Sequence, residues 1–81
     1  MDKRDGAVRL TVQERSQLQR TARTGDQSAR ASVRATVILM SAEGTGAQVI
    51  ARTLGIGLRT VRLTRRRWRR EGHEGLFDKA R

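Results

Sequence analysis

The chain has 81 residues, a formal net charge of +10, no cysteine, no proline and one histidine. This length holds one domain with a small core, which argues against a self-contained enzyme; the missing cysteines exclude a disulfide framework and a Cys-based zinc site, and His73 alone builds no metal site. The longest apolar run, residues 37–40, is too short for a membrane span or a secretory core, so a soluble, cytoplasmic, nucleoid-associated protein with no cofactor and no membrane partner is expected.

Residues 1–9 mix opposite charges around Gly6 with little apolar content and are expected to form a flexible arm. Thr11 and Glu14 make a T-x-x-E capping box with Leu10 as a staple, predicting a first helix over about residues 12–22 whose stripe is Leu10, Leu18 and Ala22. Thr24-Gly25-Asp26-Gln27 is a break, and Asp26 or Ser28 is suited to cap a second helix. That helix ends near Glu43 with Gly44 as a left-handed stop, and Ala29, Val33, Thr36, Val37 and Met40 form its expected core stripe. Thr45 is the expected cap of a short third helix carrying Val49, Ile50 and Ala51, which exits through Leu54-Gly55-Ile56. Gly57 and Leu58 open a fourth helix lasting to about Arg70, and Gly72 stops it. In the tail, residues 72–81, Leu76 and Phe77 are expected to fold back on the bundle and His73 to be a solvated turn residue.

The spacing of Ala51, Leu54, Gly55, Ile56 and Val61 meets the needs of a helix-turn-helix: a small residue where two helices cross, a turn with positive φ, and apolar side chains locking the corner. The expected fold is therefore all-α, a small bundle of about four helices over residues 10–71, with a homeodomain-like helix-turn-helix at 46–70.

Charge placement reinforces this reading. Residues 44–70 carry eight basic groups and no acid, whereas residues 1–43 carry eight basic against five acidic and residues 71–81 two against three. A G+C-rich source would enrich arginine over lysine, but it would not gather the charge in one third of the chain. On a 3.6-residue period Val61, Thr64, Arg65 and Trp68 fall to one side of the fourth helix, and Arg59, Arg62, Leu63 and Arg66 to the other. Trp68 is read as core rather than as a stacking platform.

Duplex DNA is the expected partner. Arg59, Arg62 and Arg66 are the candidate base readers, since arginine grips guanine O6 and N7 in the major groove, and Leu58 and Leu63 are candidates for thymine methyl groups. Arg65, Arg67, Arg69 and Arg70 are expected to hold phosphates, with Thr45, Gly46 and Thr60 adding hydroxyl or backbone N–H donors. Arg69 and Arg70, near a helix C-terminus, would also complement the helix dipole without any ligand.

The sequence resembles the N-terminal DNA-binding domain of bacterial mariner-like insertion-sequence (DDE) transposases. The likeness covers residues 10–81 through Leu10-Thr11-x-x-Glu14-Arg15, Ala42-Glu43-Gly44, Ile50-Ala51-Arg52-x-Leu54-Gly55, Thr60-Val61, and Arg66-Arg67-Trp68 followed by Gly72-x-x-Gly75-Leu76-x-Asp78. Such domains usually carry an aromatic where Thr64 stands, a Ser or Thr where Gly57 stands, and a proline near Ala80. The resemblance implies recognition of terminal inverted repeats. It also implies that the catalytic, metal-binding carboxylates belong to a following domain, so no catalytic residue is expected here; a separate catalytic domain or a second copy of the chain joins DNA as a candidate partner. A free-standing transcriptional regulator, an arginine-rich RNA-binding module and a protein-interaction bundle are the competing readings.

Overall fold

The computed structural model describes residues 8–24 and 29–77, which form four α-helices, α1 (Val12–Thr24), α2 (Ala29–Ala42), α3 (Ala47–Leu54) and α4 (Leu58–Glu71), and a closing 3-10 turn (Gly72–Leu76). There is no strand among the described residues. The architecture is the expected all-α bundle.

The helix α1 starts where the capping box requires. The Glu14 N–H donates to Thr11 Oγ1 at 3.0 Å, and the Thr11 N–H donates to Glu14 Oε1 at 2.9 Å, so two otherwise orphaned amides satisfy each other's side chains. The helix runs to Thr24 rather than to Ala22. Its single deep anchor is Leu18, which is fully buried, with Leu10 and Ala22 packed beside it. The expected caps of α2 at Asp26 or Ser28 lie outside the described residues.

The core consists of two clusters, and α2 serves both. Ala35 and Ile38 join Val8, Leu18, Trp68 and Leu76 in the first; Val37 joins Ile50, Ala51 and Val61 in the second. This overturns the single stripe expected for α2: of Ala29, Val33, Thr36, Val37 and Met40, only Val37 is fully buried and Ala29 is exposed. A helix wedged between α1 on one side and α3 with α4 on the other has two faces to bury, and Ala31 and Ala35 are small enough to lie fully inside against such neighbours. The packed unit also reaches past both expected edges of the bundle. Val8, read as part of the arm, is buried, and so is Leu76 beyond residue 71.

Gly44 ends α2 with φ 93°, as expected, while its N–H donates to the Ser41 carbonyl. The expected cap at Thr45 is corrected by one residue. Gly46 caps α3 in an extended conformation with no side-chain hydrogen bond, because the backbone of Thr45 is held elsewhere: its N–H by the Met40 carbonyl at 3.0 Å and its C=O by Arg65. Val49, placed with Ile50 and Ala51 in the sequence reading, is 48% exposed.

The tail folds back as anticipated. Leu76 enters the first cluster and Phe77 packs against it. Gly75 is obligatory for this path, since a Cβ there would lie 2.8 Å from the Arg67 carbonyl oxygen. Arg34 Nη1 donates to the Leu76 carbonyl at 2.9 Å, tying the turn to α2. His73 is half-buried rather than solvated, with Nε2 at 2.9 Å from Thr21 Oγ1 and its ring edge-on to Phe77. The Thr21 hydroxyl also lies 3.1 Å from the Gln17 carbonyl, so it bridges α1 and the closing turn.

Candidate nucleic-acid interface

The corner between α3 and α4 is built from the residues that predicted it. Gly55 adopts a left-handed conformation at φ 70°, a region costly for any side chain with a Cβ, and its N–H donates to the Ala51 carbonyl. Ile56 N–H donates to the same carbonyl at 3.0 Å, so the chain reverses over Ala51. Ala51 and Val61 are buried in the second cluster, and Leu54 and Ile56 pack on its rim.

Two faces of α4 separate cleanly. Val61, Thr64, Arg65 and Trp68 are buried; Arg59, Arg62, Leu63 and Arg66 are exposed. Val61 belongs to the second cluster and Trp68 to the first, so the inward face fastens the helix at two points along its length. Thr64, where the transposase pattern has an aromatic, is only 3% exposed. Outward, Arg59, Leu63, Arg66 and Arg70 follow one another at intervals of four and three residues, a single line down the helix.

A cleft of about 550 Å³ lies between this helix and the start of α3. Gly46, Ala47, Gln48 and Val49 form one wall, and Arg62, Arg66 and Arg69 the other, with Arg65 also contributing. No acid stands in the first turn of α3 or α4, and neither Gly46 nor Gly57 offers a capping side chain. In the cleft the amides at the start of α3 and the positive end of its dipole add to the arginine charge, an arrangement suited to an anionic ligand.

The sequence-derived candidates divide in this geometry. Arg62, Arg66 and Arg69 come together in the cleft, Arg59, Leu63 and Arg70 lie exposed on the outer line, Thr60 is exposed and Arg67 half-buried. Leu58 is not aligned with the readers; it is half-buried against the second cluster, where it supports the corner. Arg65 departs furthest from expectation. It is 8% exposed, and its Nε donates to Ser41 Oγ at 2.8 Å and its Nη2 to the Thr45 carbonyl at 3.1 Å, so this guanidinium is tied into the protein's own framework at the edge of the cleft. Thr45 contributes its carbonyl to that contact. The wall formed by Ala47, Gln48 and Val49 was missed by sequence reasoning, because only the crossing of α3 over α4 brings it opposite the arginines.

A family model described as a homeodomain-like domain matches residues 28–77. The chain belongs to the homeodomain-like family. The matched span takes in α2, α3, α4 and the 3-10 turn of this homeodomain-like domain, and leaves α1 outside. The family's helix-turn-helix suggests DNA binding. No curated protein and no solved structure matches the chain. Among the described residues, no helix is long and apolar enough to cross a membrane.

Proposed function

We propose that this homeodomain-like domain is a binding module without catalytic chemistry, which recognises double-stranded DNA with a preference for sequence. The observation that carries the reading is the exposed side of α4, all arginine apart from Thr60 and Leu63, joined through the cleft to the uncapped start of α3. With 14 residues α4 is about 21 Å long, and a major groove is about 12 Å wide, so the N-terminal half enters the groove while the C-terminal half meets its edge. Arg59, Arg62, Leu63 and Arg66 then face base edges, and Arg69 and Arg70 face phosphates, with Gly46 and Ala47 amides gripping from the other wall of the cleft.

The finer reading is recognition of the terminal inverted repeats of a mobile element. The motifs around Trp68, Gly72, Gly75 and Leu76 support it by their resemblance to transposases. Selection of bound duplexes from a random pool tests both levels. An enriched asymmetric site bound by one copy is expected; a palindrome bound by two copies would transfer the reading to a dimeric regulator. Each arginine–phosphate contact should add about 0.9 to the magnitude of the slope of log affinity against log salt, so Arg69 and Arg70 alone give roughly −2. Equal affinity for all duplexes would remove the sequence preference, and structured RNA competing as well as duplex DNA would move the function to RNA.

A further inference from the structure

We propose that Arg65 is a positioning residue that sets the width of the cleft between α3 and α4, so that Arg69 on one wall and the start of α3 on the other engage the same stretch of phosphates; this rests on the DNA-binding reading above. The helical period puts Arg65 on the inward face of α4 with Val61 and Trp68, where packing alone would select an aliphatic side chain. A guanidinium at 8% exposure is costly to desolvate unless its donors are matched. Two of them are matched away from α4: Nε by Ser41 Oγ in the last turn of α2, and Nη2 by the Thr45 carbonyl in the connection to α3.

Each acceptor is itself fixed. The Ser41 hydroxyl donates to the Val37 carbonyl at 2.7 Å, which orients its oxygen toward Arg65, and the Thr45 N–H is held by the Met40 carbonyl. The next residue is Gly46, the start of α3 and the edge of the cleft. A planar fork leaves little freedom between its two bonds, so this side chain ties α4 to the beginning of α3 at the end away from the Ala51–Val61 corner. Lysine, a single point charge on a flexible stem, cannot reproduce that constraint. Arg65 therefore acts on the ligand through Thr45 and Gly46, in contrast to Arg62, Arg66 and Arg69, whose own side chains form the opposite wall.

The test uses the full chain, a selected duplex, and the same duplex carrying a neutral methylphosphonate at one phosphate at a time. In the wild type, neutralising the phosphates held in the cleft weakens binding and marks their positions. R65M keeps the stem and removes the fork. It should weaken binding about tenfold, with the salt slope unchanged and with the penalty diminished only at the cleft phosphates. R65K should behave like R65M. A fall of about 0.9 in the magnitude of the slope would make Arg65 a phosphate ligand and overturn the proposal. A uniform loss with the phosphate pattern intact would reduce it to a fold-stabilising contact, and wild-type binding by R65K would leave only its charge; either result overturns it as well. Should R65M fail to fold, S41A, which removes one acceptor, must shift the same phosphates in the same direction, and an unchanged pattern would overturn the clamp. Solvent exchange of the Arg65 Nε–H in the free protein separates the two levels. Slow exchange in a protein that binds no duplex in titration would sink the DNA reading alone, whereas fast exchange in a protein that binds duplex would sink the clamp alone.

Discussion

The two ends of the molecule treat their helix starts in opposite ways. At α1 the first amides are closed by Thr11 and Glu14, and the neighbouring 3-10 turn is tied down through His73, Arg34 and Leu76. At α3 and α4 the helices begin on Gly46 and Gly57 with no side-chain cap and no acid in the first turn. The first end is satisfied by the protein itself. The second leaves donors and charge to be satisfied by something else, which is the physical difference between a scaffold and a binding face.

Five substitutions, two of them made as a pair, can break or sharpen that contrast. The largest effect is expected from Leu76→Ala at the satisfied end: loss of a fully buried leucine should cost about 2–5 kcal/mol of unfolding free energy in denaturant titration, while the folded fraction retains its duplex preference. A changed preference would mean that the scaffold end reads DNA. Next, Arg62→Ala should cost about 1–3 kcal/mol of binding and relax the selected site, with the melting temperature nearly unchanged; Arg69→Ala in parallel should weaken all duplexes alike. If selections with the two variants enrich the same relaxed site, the division of α4 into reading and gripping parts is wrong.

Thr11→Ala comes third. Opening the capping box should lower stability by about 1 kcal/mol, measured by thermal or chemical unfolding, and leave duplex affinity alone under folding conditions. The smallest change is expected from Gly46→Asp, where a new cap should stabilise the free protein by only a few tenths of a kcal/mol. Its carboxylate at the cleft should nevertheless weaken duplex binding, read by titration at fixed salt. Undiminished affinity would show that the start of α3 does not meet phosphate.

Features encoded by short spacing were legible in the sequence. The corner from Ala51 to Val61, the capping box, the stops at Gly44 and Gly72, the burial of Trp68 and the return of Leu76 each depend on residues a few positions apart, or on one strong apolar anchor. What sequence reasoning lost was set by tertiary partners. The helical period put Arg65 inward, but its charge suggested a phosphate ligand, because Ser41 lies 24 residues away and nothing local announces it as an acceptor. Thr45 has the chemistry of a cap, yet Met40 and Arg65 hold its backbone and the helix starts one residue later. One apolar stripe on α2 looked sufficient until two clusters demanded two faces, and His73 looked exposed because Thr21 is 52 residues distant. Leu58 shows the same limit, an apolar residue at the head of a basic helix that faces the corner rather than the groove.

Four of the eight glycines, at 44, 46, 55 and 57, bracket α3, the shortest of the α-helices, which buries Ile50 fully and Ala51 nearly so. Few buried contacts make so short a segment prone to open locally, and its connections are held mainly by hydrogen bonds at Thr45 and Ile56. A duplex seated in the cleft would then act as a clasp on a lightly anchored unit of the domain, and the affinity measured for it would include the work of keeping α3 shut.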